Sequence, residues 1–183
     1  ARVSGNARVS GNARVYGDER VFGSSSQKYL GDKTMGNKYE LTNETLEVQG
    51  STLYRIRALK NFGNTFKGEL GGFVASESNL SQDGNAWVYG DARVSGNAWV
   101  SGDAWVHGDA WVYGNAWLYG NARVHGDAWV HVDAQVSGDA RVYGNTRVFG
   151  NAWIFGKAWV SGNAQVSGDA WVSGNARVSG NAR

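Results

Sequence analysis

Ala92-Arg93-Val94-Ser95-Gly96-Asn97, answered further on by Ala110-Trp111-Val112-Tyr113-Gly114-Asn115, states the unit that builds most of this chain: Ala-x-Val-x-Gly-Asn/Asp. The aliphatic position returns every six residues from Val88 to Val178, with Leu118 and Ile154 as its variants and no insertion. Four more hexads open the chain at Val3, Val9, Val15 and Val21. Side chains alternate between the two faces of a strand, so Ala and Val, two apart, share one face. The intervening Trp, Arg or Gln takes the other. Gly followed by Asn or Asp supplies the positive φ of a tight corner. Three such units close a triangular coil of about 18 residues that stacks on the next at about 4.8 Å. A single coil cannot bury its apolar face alone, so stability comes from stacked neighbours. The expected fold is all-β, a parallel β-helix of hexapeptide repeats over residues 85–183.

Composition narrows the function classes. The 183 residues include 27 glycines but no proline and no cysteine, which removes disulfides and thiolate metal sites. Eighteen basic and 16 acidic residues leave a formal net charge of +2, without the basic stripe of a dedicated nucleic-acid binder. No apolar run approaches the roughly 18 residues of a membrane span. Neither nucleic acid nor membrane insertion is expected.

Residues 24–84 break the hexad register. Hexads at 1–23 are followed by a linker at 24–36, where Ser24-Ser25-Ser26 reads as flexible. Residues 37–84 read as a cap over the first coil, since an exposed strand edge invites pairing with other chains. Within it, Thr45–Val48 and Leu53–Leu59 alternate around Gln49-Gly50-Ser51, the pattern of a β-hairpin. That alternation places Tyr54, Ile56 and Ala58 on one side and Arg55 and Arg57 on the other. Gly68-Glu-Leu-Gly-Gly-Phe-Val74 reads as a tight passage into the solenoid. Val74 and Leu80 precede Ala86 by multiples of six and are candidates for inward positions.

The cap segments Lys38-Tyr-Glu-Leu-Thr-Asn-Glu-Thr45, Leu53-Tyr-Arg-Ile-Arg-Ala-Leu-Lys-Asn-Phe-Gly63, Gly68-Glu-Leu-Gly-Gly-Phe73 and Asn79-Leu-Ser-Gln-Asp-Gly-Asn85 precede the Gly-Asn/Asp-Ala-x-Val array. Together they resemble the phage- and prophage-encoded hexapeptide-repeat proteins often labelled transferase-like or polymer-forming. The resemblance spans about residues 35–183 and is most specific in the cap. It implies a left-handed β-helix and a phage or bacterial origin; a virion, an extracellular fibre and the bacterial cytoplasm all remain open as locations. The left hand rests on that resemblance and the hexapeptide pattern, because parallel crossovers are otherwise right-handed. Met35 sits where such a protein would start, and repeats run to both ends of the chain. The expectation is a fragment, or one subunit of an end-to-end assembly.

All nine tryptophans fall at one outward phase, immediately before the aliphatic residue. At an 18-residue coil period they sort into columns. One holds Trp99, Trp117, Gln135, Trp153 and Trp171. A second holds Trp87, Trp105, Arg123, Arg141, Trp159 and Arg177. The third holds Arg93, Trp111, Trp129, Arg147 and Gln165. Such a column offers a few hundred Å² of apolar surface, a size that marks contact sites. Trp99, Trp117, Trp153 and Trp171, with Trp111 and Trp129, are the candidate interface or ligand-binding residues. The Trp99 column is the sharper one because no positive charge interrupts it. The alternative is that stacked Trp and Arg merely support one another.

The three histidines, His107, His125 and His131, follow the aliphatic position. Three histidines hold the metal in hexapeptide-repeat carbonic anhydrases, which makes these the metal candidates. His107 and His125 fall one coil apart but His131 on the next face, so neither metal nor cofactor is expected. An acyltransferase needs a catalytic histidine and a loop for the acyl donor, and the array has no loop insertion. No catalytic residue is assigned. At the corners Asp91, Asp109 and Asp127 form a like-charged column that Asn145, Asn163 and Asn181 continue as a possible amide ladder. Thr146 is the one threonine of the array, which argues against an ice-binding face. The expected role is a non-catalytic structural module that self-associates, as a homo-oligomer or end-to-end polymer, through Trp faces or open coil ends. A carbohydrate-binding adhesin is the alternative, and an acyltransferase or carbonic anhydrase a distant third.

Overall fold

The computed structural model describes residues 2–5, 20–23 and 36–183. The chain divides into two units, Ala1–Lys33 and Thr34–Arg183. In the first, β1 (Arg2–Gly5) pairs in parallel with β2 (Arg20–Gly23), Arg2 opposite Arg20 and Val3 opposite Val21. That offset is one coil of three hexads. The intervening hexads and the linker at Ser24–Ser26 lie outside the described residues.

The second unit opens with β3 (Tyr39–Val48) and β4 (Ser51–Ala58), an antiparallel hairpin. Its turn carries positive φ at both Gln49 (50°) and Gly50 (76°), the twist-matched geometry of a two-residue hairpin loop. β5 (Leu70–Val74) pairs antiparallel with β4 and parallel with Arg93–Val94. The hairpin sheet thereby runs without a break into the solenoid. Ile56 and Ala58 are buried and Arg57 is exposed, as alternation requires, but Leu53 is buried and Tyr54 only half-buried. The β3–β4 pairing jumps between Leu41 and Thr45, and the β4–β5 pairing between Arg55 and Arg57. Bulges of this kind bend the strands and re-aim their side chains.

From Val74 onward the chain winds as a parallel β-solenoid with three faces. The first face continues from β5 through Arg93–Val94, Trp111–Val112, Trp129–Val130, Arg147–Val148 and Gln165–Val166. The second stacks Trp99–Val100, Trp117–Leu118, Gln135–Val136, Trp153–Ile154 and Trp171–Val172. The third stacks Trp87–Val88, Trp105–Gly108, Arg123–Gly126, Arg141–Tyr143, Trp159–Val160 and Arg177–Val178, one strand for each of six coils. Alanine and valine fill the interior: Ala98, Val100, Ala104 and Val106 are all fully buried. Each interior valine stabilises by roughly 1.5–3 kcal/mol. Thr146 takes an alanine position, wholly buried, and its hydroxyl donates to the Tyr143 carbonyl. No helix among the described residues is long and apolar enough to cross a membrane.

Val74 and Leu80 belong to the first coil, opposite Val94 and Val100. The open edge there is covered group by group. Phe73 N donates to Ala92 O at 2.9 Å and Ala75 N to Val94 O at 3.0 Å. The Asn79 amide donates to Gly96 O and Ala98 O at 3.0 and 2.9 Å, and Ser81 N to Val100 O at 2.9 Å. Lys38 Nζ, fully buried, donates to Ala86 O at 2.8 Å. The passage at Gly71-Gly72 needs glycine for space. A Cβ on Gly71 would lie 2.6 Å from Val88 O, and one on Gly72 2.4 Å from Ala92 O.

Candidate functional site

Inward Ala and Val fix the coil, so the residues between them stand outward in register from coil to coil. The three faces treat those residues differently. On the first, Trp111 and Trp129 meet edge to face at 5.6 Å, and Arg147 lies 5.4 Å over Trp129. Trp111 Nε1 also donates to Ser95 Oγ at 3.3 Å. On the third, Arg123 covers Trp105 at 5.3 Å, while Arg141 and Arg177 cover Trp159 at 5.6 and 5.1 Å. Each of these four rings is half-buried. A guanidinium stacked on an indole gains cation–π attraction and removes the ring face from water.

The second face has no cation in its column, and its rings stay exposed. Trp99, Trp117, Trp153 and Trp171 are 38%, 53%, 37% and 69% exposed, with Tyr119 beside them at 37%. Trp117 sits in register between Trp99 and Gln135, and Gln135 in turn faces Trp153. Trp153 and Trp171 stack at 5.4 Å, 11° from parallel. Of the six tryptophans singled out from sequence, four therefore share one open face, while Trp111 and Trp129 pack together on another.

Trp87 departs from the outward reading. It is fully buried, edge-on to Tyr39 at 6.0 Å and to Phe62 at 5.2 Å. Its phase in the coil is the outward one, but the cap covers the first coil there. Nothing in the hexad itself announces this. The signal lay in the cap, whose aromatic residues must pack against something.

The histidines stand at two coil edges. His107 and His125 stack at 4.7 Å, and His125 stacks on Tyr143 at 5.0 Å. At the other edge Tyr113, His131 and Phe149 stack at 4.7 and 5.2 Å. Burial holds all three imidazoles below their ordinary pKa, and neighbouring cations reinforce it: Arg123 for His107, His107 with Arg123 and Arg141 for His125, Arg147 for His131. His131 is not brought to the other two. Among the described residues no three His, Asp or Glu side chains converge on a point where a metal could sit.

The corners carry amide ladders. Asn85, Asn121, Asn115 and Asn151 each donate to the aspartate one coil on, at 2.8–2.9 Å. Asn145, Asn163 and Asn181 link at 3.2 Å per step. In the like-charged column Asp91 lies 3.7 Å from Arg55 of the cap.

A family model described as the YdcK beta solenoid repeat matches residues 1–17, 7–23, 86–102, 92–108, 116–131, 134–148, 164–180 and 170–183, together more than half of the chain. The matches fall on the hexad array and pass over the cap. A search of curated proteins finds no match.

Proposed function

The chain belongs to the YdcK beta solenoid repeat family, and on that premise we propose a non-catalytic structural role: a rigid β-solenoid module that self-associates through its second face. The observation that carries this reading is the gathering of Trp99, Trp117, Trp153 and Trp171, each more than a third exposed, on the one column without a cation. Five strands at about 4.8 Å give a run of roughly 19 Å. The exposed parts of four indoles amount to a few hundred Å², enough to mark a contact site. A stable interface buries about 800 Å² per partner. Association through this face is therefore weak and concentration-dependent, and it strengthens where several modules meet at once.

Sedimentation velocity over a concentration series of the wild type and of the Trp117→Ala/Trp153→Ala variant tests the proposal. The wild type is expected to associate and the variant to remain monomeric with an unchanged circular-dichroism spectrum. A wild type that stays monomeric throughout, or a variant that associates equally, defeats the reading. A glycan-binding signal lost from an unchanged oligomer would make the column a carbohydrate platform instead.

A further inference from the structure

A groove runs along the third face, away from the exposed tryptophan column of the second. Its floor is the stack Trp105, Arg123, Arg141, Trp159, and Asn64 of the cap loop closes one end. The two arginines are adjacent in register, one coil apart, so they rise from neighbouring strands whose backbones run about 4.8 Å from each other. Neither has a carboxylate partner: among the described residues, ion pairs are made by Arg55 and Arg57 only. The nearest acids on the groove wall, Asp103 and Asp139, accept instead from the Asn85 and Asn121 amides. Lys157 adds a third cation to the same wall.

Each guanidinium is held against an indole, Arg123 on Trp105 and Arg141 on Trp159. That fixes its plane, so little side-chain freedom is lost when its N–H fork meets a planar anion. The wall combines the amides and carboxylates of the corner ladders, acceptors and donors suited to hydroxyl groups. The groove offers a nucleic acid no free aromatic face for base stacking, since Arg123 and Tyr89 already pack on Trp105 and Arg141 and Arg177 on Trp159.

We propose that this groove binds a linear acidic glycan along the solenoid axis, its carboxylates on Arg123 and Arg141 and its hydroxyls on the corner ladder. The site is independent of the association face, since no residue is shared between them.

Titration calorimetry of the full chain with an oligoguluronate at low salt tests the proposal, with a neutral cello-oligosaccharide and a single-stranded oligothymidylate of similar length as comparisons. The wild type is expected to prefer the oligoguluronate. Arg123→Gln/Arg141→Gln should weaken it by at least about tenfold, the scale of one lost charged hydrogen bond, and Lys157→Gln by less. Arg147→Gln, which removes the same cation–π arrangement from the first face, should leave binding unchanged. Failure of the wild type to bind the oligoguluronate overturns the proposal. So does equal loss in Arg147→Gln, or tighter binding of the oligothymidylate than of the glycan.

Discussion

At the residue scale the corner position shows how little freedom the hexad has. Gly108 has φ of 75°, and a Cβ there would lie 3.0 Å from Gly126 N in the next coil. Val132 is the exception, a β-branched residue at φ 64° in a position otherwise held by glycine. That conformation costs roughly 1–2 kcal/mol. Val132→Gly is expected to raise the melting temperature, and Gly108→Ala to lower it through both strain and the close approach; thermal denaturation followed by circular dichroism decides. The stacked imidazoles predict a pH effect. Their folded-state pKa values lie below the ordinary 6.5, so the unfolded chain takes up protons first and stability falls as pH drops through 6.5. His125→Phe, which brings into this stack the kind of ring that Phe149 supplies to the other, should flatten that fall in melting experiments between pH 7.5 and about 5.

At the scale of elements, the cap is what makes an edge of the solenoid tolerable. It supplies a strand, an asparagine side chain and a buried lysine to carbonyls that would otherwise point at nothing. Burial lowers the Lys38 pKa from 10.5 to about 8, against an opposing pull from Asp83. Burying this charge costs stability in full below pH 8, and the cost is relieved as pH rises toward 10.5. Tyr39 works the other way: burial raises its pKa above the ordinary 10.0, so it opposes stability only above pH 10. Hydrogen exchange at the hairpin amides, corrected for intrinsic rates, should therefore slow between pH 8 and about 9.5 in the wild type and show no such gain in Lys38→Met.

At the scale of the whole solenoid, three faces built on one repeat acquire three surfaces. Aromatic packing and arginine close the first, a cationic groove lines the third, and the second is left apolar. The two proposed contacts then separate by salt. Association through the tryptophan face should strengthen in sulfate, which favours apolar burial. Glycan binding on Arg123 and Arg141 should weaken as ionic strength rises. Sedimentation and calorimetry across one sulfate series check both, and parallel trends in the two would contradict the assignment of faces.

Much of this could be read from residues alone, because the hexad is a local rule. Alternation dictates that Ala98 and Val100 point inward. The Gly-Asn/Asp pair dictates the corner, and a period of three hexads puts Trp99 under Trp117 and His107 under His125. Exposure is not local. Trp87 and Trp99 occupy the same phase, yet one is sealed beneath Tyr39 and Phe62 and the other is open, because the cap lies over only one of them. Trp117 and Trp129 likewise differ through what stacks above them, Gln135 in one case and Arg147 in the other. Columns follow from the sequence because backbone pairing enforces register. Which columns remain surface was decided only by the tertiary structure, since burial depends on neighbours that the repeat does not contain.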